Sequence, residues 1–264
     1  MIALITGASG GIGYQIAREF AERKFDIILV ALDKEILEEK AKELEENFGI
    51  KTYVICQDLS LPNASETLYN QVKQLSLNVD ALVNNAGFGT FGKFSDVDFS
   101  RQKALLSVNV TALMELSYLF IKDMKDRKSG YVLNVASIAS FLAGPYMAMY
   151  YASKAFVLSF TESLHNEYIN DNIKVSALCP GPTATDFEKN AQMKDSNMFV
   201  KLKVSKPEVV AKKGVKALFR NKTFYICGAS NKFLITLSKF MPRKLTRNFS
   251  QNINLGKNNK NWHF

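Results

Sequence analysis

The sequence predicts an α/β fold: a doubly wound parallel sheet of about seven strands with helices on both faces, plus a basic C-terminal extension. Three observations carry this. Short apolar runs alternate with longer amphipathic segments, a glycine cluster sits at the first junction between them, and basic residues crowd the C-terminal quarter. Alternating buried strands and helices imply parallel pairing, because each crossover lays a helix on a sheet face. With 264 residues, 47% hydrophobic and 22% charged, the chain is long enough for one sizeable core and too apolar for extensive disorder.

Ile2–Thr6 reads as a strand, and Gly11–Arg23 as a helix with apolar spacing at Ile12, Ile16, Ala17 and Phe20. Asp26–Leu32 is a buried strand, Glu35–Phe48 a charged surface helix, and Lys51–Cys56 a third strand. The alternation continues with Ala81–Asn84, a helix within Arg101–Asp126, Tyr131–Val135, a helix from Tyr150 to Tyr168, and Lys174–Leu178. After Pro180 the pattern loosens. Residues 186–206 are polar and studded with Met and Phe, as suits a substrate lid. A helix over Pro207–Arg220 and a strand over Thr223–Cys227 complete a single catalytic domain, 1–230. The extension, 231–264, holds an amphipathic stretch broken at Pro242, and frayed residues from Gln251 onward.

Cys56, Cys179 and Cys227 are widely separated and form no CxxC pair, which excludes a disulfide framework or zinc site and fits a reducing, cytoplasmic setting. No metal site is expected. The N-terminus lacks a secretory pattern, and the apolar region Ala136–Phe160 carries Ser137, Ser140, Pro145, Ser153 and Lys154, which would be costly in lipid. Net charge is +9, yet residues 200–264 contain 15 Lys/Arg and one acid, whereas residues 1–199 contain 19 basic and 24 acidic side chains. The basic character belongs to the C-terminal quarter, which could meet anionic lipid, an acidic substrate or simply solvent. No recognition helix or aromatic RNA motif accompanies it, so nucleic acid is not expected.

The turn Thr6-Gly7-Ala8-Ser9-Gly10-Gly11-Ile12-Gly13 lies between strand and helix, where glycines let a phosphate approach bare backbone NH groups. Tyr150 and Lys154 are four residues apart on a predicted helix and so share a face. A cation about 5 Å from a phenol contributes roughly 3 kcal/mol at an effective dielectric near 20, lowering its pKa by about two. Lys154 is therefore expected to bring Tyr150 towards the working range of an acid/base, with an oxidised nicotinamide adding to the effect and desolvation opposing it. Ser137 ends an apolar strand 13 residues earlier, which places its hydroxyl within reach of the start of that helix.

TGASGGIG at 6–13, Asp58-Leu59, NNAG at 84–87, Asn109, Ser137, YxxxK at 150–154 and Pro180-Gly181 occur in one order. That series, spanning residues 1 to about 230, resembles the short-chain dehydrogenase/reductase family, and seven ordered matches are far more specific than any single motif. The resemblance implies a Rossmann fold binding NAD(P)(H) through Gly7, Ser9, Gly10, Gly11, Ile12 and Gly13. It also implies that Asp58 and Leu59 meet the adenine, that Asn85, Ala86 and Gly87 line the adenine ribose, and that Pro180, Gly181, Thr183 and Thr185 flank the nicotinamide. Asn109, Ser137, Tyr150 and Lys154 would form the catalytic set. Asn109 would hold a water in a relay reaching Lys154, Tyr150 and Lys154 would both contact the cofactor, and Lys154 would bond the nicotinamide ribose. The reaction implied is C=O + NAD(P)H + H⁺ ⇌ CH–OH + NAD(P)⁺.

Cofactor choice rests on the end of the second strand, where an acid binds ribose hydroxyls and an arginine clamps a 2′-phosphate. Ala31 and Leu32 occupy those positions, with Asp33 favouring NAD and Lys34 favouring NADP, so the preference stays open. Phe88, Phe91, Phe94, Phe141, Tyr146, Met147, Met193, Met198 and Phe199 suggest an apolar pocket for a bulky carbonyl or alcohol substrate. A homo-oligomer, dimer or tetramer, is expected, and Phe233, Leu237 and Phe240 beside Lys232, Lys239, Arg243 and Lys244 allow peripheral membrane contact. The competing reading is a non-catalytic dinucleotide-binding sensor or scaffold. Retention of Asn109, Ser137, Tyr150 and Lys154 together argues against it.

Overall fold

A computed structural model describes residues 1–191 and 204–255. Seven parallel strands are arranged in the order β3-β2-β1-β4-β5-β6-β7. They are β1 (Ile2–Thr6), β2 (Asp26–Ala31), β3 (Thr52–Cys56), β4 (Ala81–Asn84), β5 (Gly130–Val135), β6 (Ile173–Cys179) and β7 (Phe224–Ile226). The central strands are buried on both faces, which is why they read as unbroken apolar runs rather than alternating ones. One face packs Phe20, Phe25 and Leu218 against the sheet, and the other packs Leu68, Phe120 and Met124.

Helices α1 (Gly11–Ala21) and α2 (Lys34–Phe48) follow β1 and β2. Next comes α3 (Ala64–Gln74), which buries Leu68 and Val72 and which the apolar spacing does not reveal. The predicted helix between β4 and β5 is one continuous run: α4 (Phe99–Leu106), a π-helical turn (Ser107–Ala112) and α5 (Leu113–Arg127). By length and composition alone this run could cross a membrane, but its Leu105, Asn109, Leu116 and Phe120 are buried within the fold. Helix α6 (Ala148–Glu167) packs on β6, and its His165 is a buried histidine whose Nδ1 lies 2.8 Å from the Val175 carbonyl.

Of the expected lid, residues 187–190 form a short helix, α7 (Phe187–Asn190). Ser205 bonds back to Pro182 (2.9 Å) and Ala184 (3.0 Å), while Met193, Met198 and Phe199 lie outside the described residues. Helix α8 (Pro207–Phe219) starts at a proline, whose missing NH costs nothing in a first turn.

Two helices follow, α9 (Ala229–Ser238) and α10 (Arg243–Asn254), separated at Pro242 as expected. Fraying does not begin at Gln251. The helix runs on to Asn254, and Ile253, Asn254 and Leu255 are buried, because this end packs onto the protein rather than projecting into solvent.

Candidate active site

The strand order reverses between β1 and β4, and a crevice opens beyond the carboxyl ends of the strands there, as in other doubly wound sheets. It is a cavity of about 610 Å³. Its lining includes all the residues that the sequence assigns to the nucleotide, together with Ser137, Tyr150 and Lys154. Asn109 lies just behind this wall.

At one end is the glycine turn. Gly7 has φ +66 and Gly11 has φ +54, conformations that side-chain-bearing residues rarely adopt. A Cβ on Gly13 would stand 2.2 Å from the Gly7 carbonyl oxygen and 2.4 Å from Asn85 Nδ2, so close packing leaves room for hydrogen alone. Gly10 differs, because no protein atom lies within 4 Å of where its Cβ would be. Its open face is what a phosphate needs.

The turn is braced from β4. Asn85 Nδ2 donates to the carbonyls of Thr6 (2.9 Å) and Gly7 (3.1 Å), while Thr6 Oγ1 accepts from the backbone NH groups of Asn85 and Ala86, both at 3.0 Å. The Asn85 side chain thus holds the turn itself, and Asn84 is a buried core residue bonded to Ser117 and Asn134. Asp33 caps α2 by accepting from Ile36 NH at 3.1 Å, and Asp58 accepts from the NH and hydroxyl of Ser60. Thr185 closes over Gly11, its methyl 3.0 Å from a Cβ placed there.

At the other end, β5 delivers Ser137 and the start of α6 delivers Tyr150 and Lys154. Ser137 caps a 3₁₀ turn, accepting from Ala139 NH at 3.1 Å, and its hydroxyl stands near enough to the Tyr150 phenol to favour that group's ionised form. Ser140 Oγ ties this turn to α6 by donating to the Lys154 carbonyl at 2.6 Å. Lys154 Nζ donates to the Val135 carbonyl at 2.7 Å and lies 6.0 Å from the centre of the Tyr150 ring.

Asn109 sits in the π-helical turn, a distortion that often marks functional positions. Its Nδ2 donates to the Phe88 carbonyl (3.0 Å) and to Ser153 Oγ (3.1 Å), and its Oδ1 accepts from Phe88 NH (3.1 Å). Gly87 makes this juxtaposition possible, since a Cβ there would stand 3.0 Å from Asn109 Oδ1 and 3.4 Å from Lys154 Nζ.

The electrostatics correct one expectation. Burial pushes the Tyr150 phenol up to about 12, with only the Ser137 hydrogen bond acting in the opposite direction. Lys154 does not bring it down. Burial pulls the lysine itself down to about 8, which weakens the cationic form but leaves it the main one at neutral pH. Desolvation, which opposes the effect of a neighbouring cation, is here the larger of the two.

The cavity's apolar wall was only partly foreseen. Phe88 lines it, and Phe91 and Met147 pack behind it with Tyr150 and Tyr151. Phe141 instead packs against Phe224, and Phe94 is exposed. Leu234, Phe249, Ser250 and Ile253 complete the lining from the C-terminal helices. Tyr151 OH donates to Asn254 Oδ1 at 3.0 Å, and Asn254 Nδ2 donates to the Pro145 carbonyl at 2.9 Å, fastening α10 beside α6. The only sequence signal for this was the apolar spacing of the tail.

A short chain dehydrogenase family model matches residues 1–196. The chain belongs to the short-chain dehydrogenases. Among curated relatives of these dehydrogenases, a 7β-hydroxysteroid dehydrogenase from Clostridium sardiniense is 33% identical over 241 residues, covering 91% of this chain and 90% of the relative. The human very-long-chain 3-oxoacyl-CoA reductase is 30% identical over 71% of this chain, which spans 61% of that protein. A Sphingobium yanoikuyae short-chain dehydrogenase solved with NADPH superposes with TM-score 0.80 at 27% identity, covering 90% of this chain and 93% of that one. The protein is an NAD(P)-dependent oxidoreductase, and the cradle fits such a cofactor: an open glycine face at one end and a buried Ser–Tyr–Lys group at the other.

Proposed function

We propose that the protein interconverts a bulky apolar ketone and its secondary alcohol, with Tyr150 as the group that gives and takes the proton. The observation that carries this reading is the convergence of Ser137, Tyr150 and Lys154 on one wall of the cavity that begins at the glycine turn. A bound nicotinamide supplies or accepts the hydride. Everything else falls to side chains.

Ser137 holds the substrate oxygen and aligns the carbonyl carbon. Tyr150, protonated because its site is dry, donates its phenolic proton to that oxygen in reduction and accepts it in oxidation. A tyrosine raised to about 12 carries its proton at neutral pH, ready to be donated in reduction, although the raised value also makes it a weaker acid. The pKa of about 8 lets Lys154 exchange a proton near neutrality. Asn109 holds the backbone at Phe88 from behind Gly87 and keeps that lysine's surroundings polar.

Phe88, Leu142, Phe187, Leu234, Phe249 and Ile253 in the lining select for apolar bulk. The names of the relatives agree in kind, since they include a hydroxysteroid dehydrogenase, a long-chain oxoacyl reductase and a bulky-bulky ketone specific alcohol dehydrogenase from Comamonas testosteroni, the last 25% identical with TM-score 0.76 over 90% of this chain and 92% of that one. The test is a panel of steroid, long-chain and small polar carbonyls assayed with NADH and NADPH by nicotinamide absorbance. Turnover of the bulky apolar members is expected. Preference for small polar carbonyls would overturn the substrate assignment, and thermal protection by each nucleotide would fix the cofactor preference independently.

A further inference from the structure

We propose that the exposed side of α9 and α10 is a docking surface for anionic lipid bilayers. Phe233 is 70% exposed, Phe240 84% and Leu245 52%, and Leu237 is exposed beside them. Phe233 and Leu237 are one turn apart on α9, Phe240 follows its end and Leu245 opens α10, and so many exposed large apolar side chains within one short stretch are unusual on a surface that faces only water. Around them stand Lys232, Lys239, Arg243, Lys244 and Arg247, all exposed, and residues 229–255 contain no acid.

This combination decides the occupant. A second copy meeting the patch across a two-fold axis would set the same five cations against one another, with no acid to answer them. A protein partner's interface core would be expected to exclude lysine. A bilayer of anionic lipid accommodates both features at once: the aromatic and aliphatic groups enter the boundary of the acyl region while the cations meet headgroup phosphate and carboxylate.

The patch also adjoins the cavity. Leu234 on α9 and Phe249 on α10 line it, and Phe249 is itself 39% exposed, so one side of the mouth is built from the lipid-facing helices. Docking therefore sets the mouth against the phase in which apolar molecules dissolve. The docking itself does not depend on the proposed reaction, because it is read from binding alone.

The test is flotation of the full chain with vesicles of phosphatidylcholine, with and without phosphatidylserine. The chain is expected to float with the anionic vesicles, to stay behind with the neutral ones, and to be released by salt. Phe233→Ser/Phe240→Ser should lose flotation. Lys239→Gln/Lys244→Gln should weaken partitioning by roughly fivefold per cation removed. These side chains are exposed and lie outside the cavity, so thermal stability and protection by nucleotide should be unchanged in both variants. Equal flotation with neutral and anionic vesicles, no flotation with either, or equal flotation of wild type and variants would each overturn the proposal. So would an oligomer that dissociates in Phe233→Ser/Phe240→Ser while flotation persists, which would assign the patch to a second copy.

Discussion

The two ends of the cavity are built in different ways. The glycine turn at 6–13 is a backbone site: positive φ at Gly7 and Gly11, an open face at Gly10, and a contact at Gly13 that no side chain could survive. The wall contributed by α9 and α10 is a side-chain site, fastened by the bonds that Asn254 makes with Tyr151 and Pro145. A backbone site can be made from few residue types and therefore declares itself locally. A side-chain wall can be made from many, and depends on contacts between residues more than a hundred positions apart.

Substitutions at the two ends should separate accordingly. The largest effect is expected at Gly13→Val, where the added atoms meet the Gly7 carbonyl and Asn85 at once. Overpacking of this kind costs about 1–3 kcal/mol or more, and nucleotide should no longer raise the melting temperature. Gly10→Ala is the control, because nothing in the protein opposes the new methyl. It should melt like wild type yet lose most of its protection by nucleotide. A Gly10→Ala protein that is unstable without nucleotide would show that the open face has a structural role.

Between the two ends, Lys154 gives a test of sign. Its pKa in the folded protein, about 8, lies below the ordinary lysine value of 10.5, so burial of the cation costs stability below about pH 8. Between pH 8 and 10.5 the folded protein has lost the proton that the unfolded chain still binds, and stability rises. Lys154→Met should therefore be more stable than wild type at neutral pH, by up to about 3 kcal/mol, and the advantage should shrink towards pH 10 while turnover is lost throughout. Tyr150, raised to about 12, contributes stability that is lost only above its ordinary value of 10, equally in both proteins. Urea unfolding at several pH values measures the difference, and a constant gap would contradict it.

At the far wall the expected effect is smaller. Asn254→Ala leaves the buried Tyr151 hydroxyl without its partner, a cost of about 1–3 kcal/mol, and loosens α10. KM for a bulky substrate should rise several-fold with kcat little changed, because Asn254 does not touch the reacting atoms. A fall in kcat at constant KM would place it in the chemistry instead.

What could be read in advance follows the same division. Strands β1 and β4 were legible to the residue, because buried parallel strands are short apolar runs bounded by turn residues. Helix α3 was not, since its buried positions Ala64, Leu68 and Val72 give a thin stripe and it is entered through Asn63 at positive φ. The π-helical turn around Asn109 has no sequence period of its own. The order of motifs identified Ser137, Tyr150 and Lys154 as a group, whereas the direction of the tyrosine's pKa depended on burial, which no motif encodes.

The central claim is that Tyr150 moves the proton in a cavity whose nucleotide end works without it. Single-turnover reduction by wild type and Tyr150→Phe, each preloaded with saturating reduced nucleotide and followed by nicotinamide absorbance, tests this directly. Equal nucleotide binding and a rate lower by about 10²–10⁴-fold in the variant are expected. Equal rates in the two proteins would contradict it.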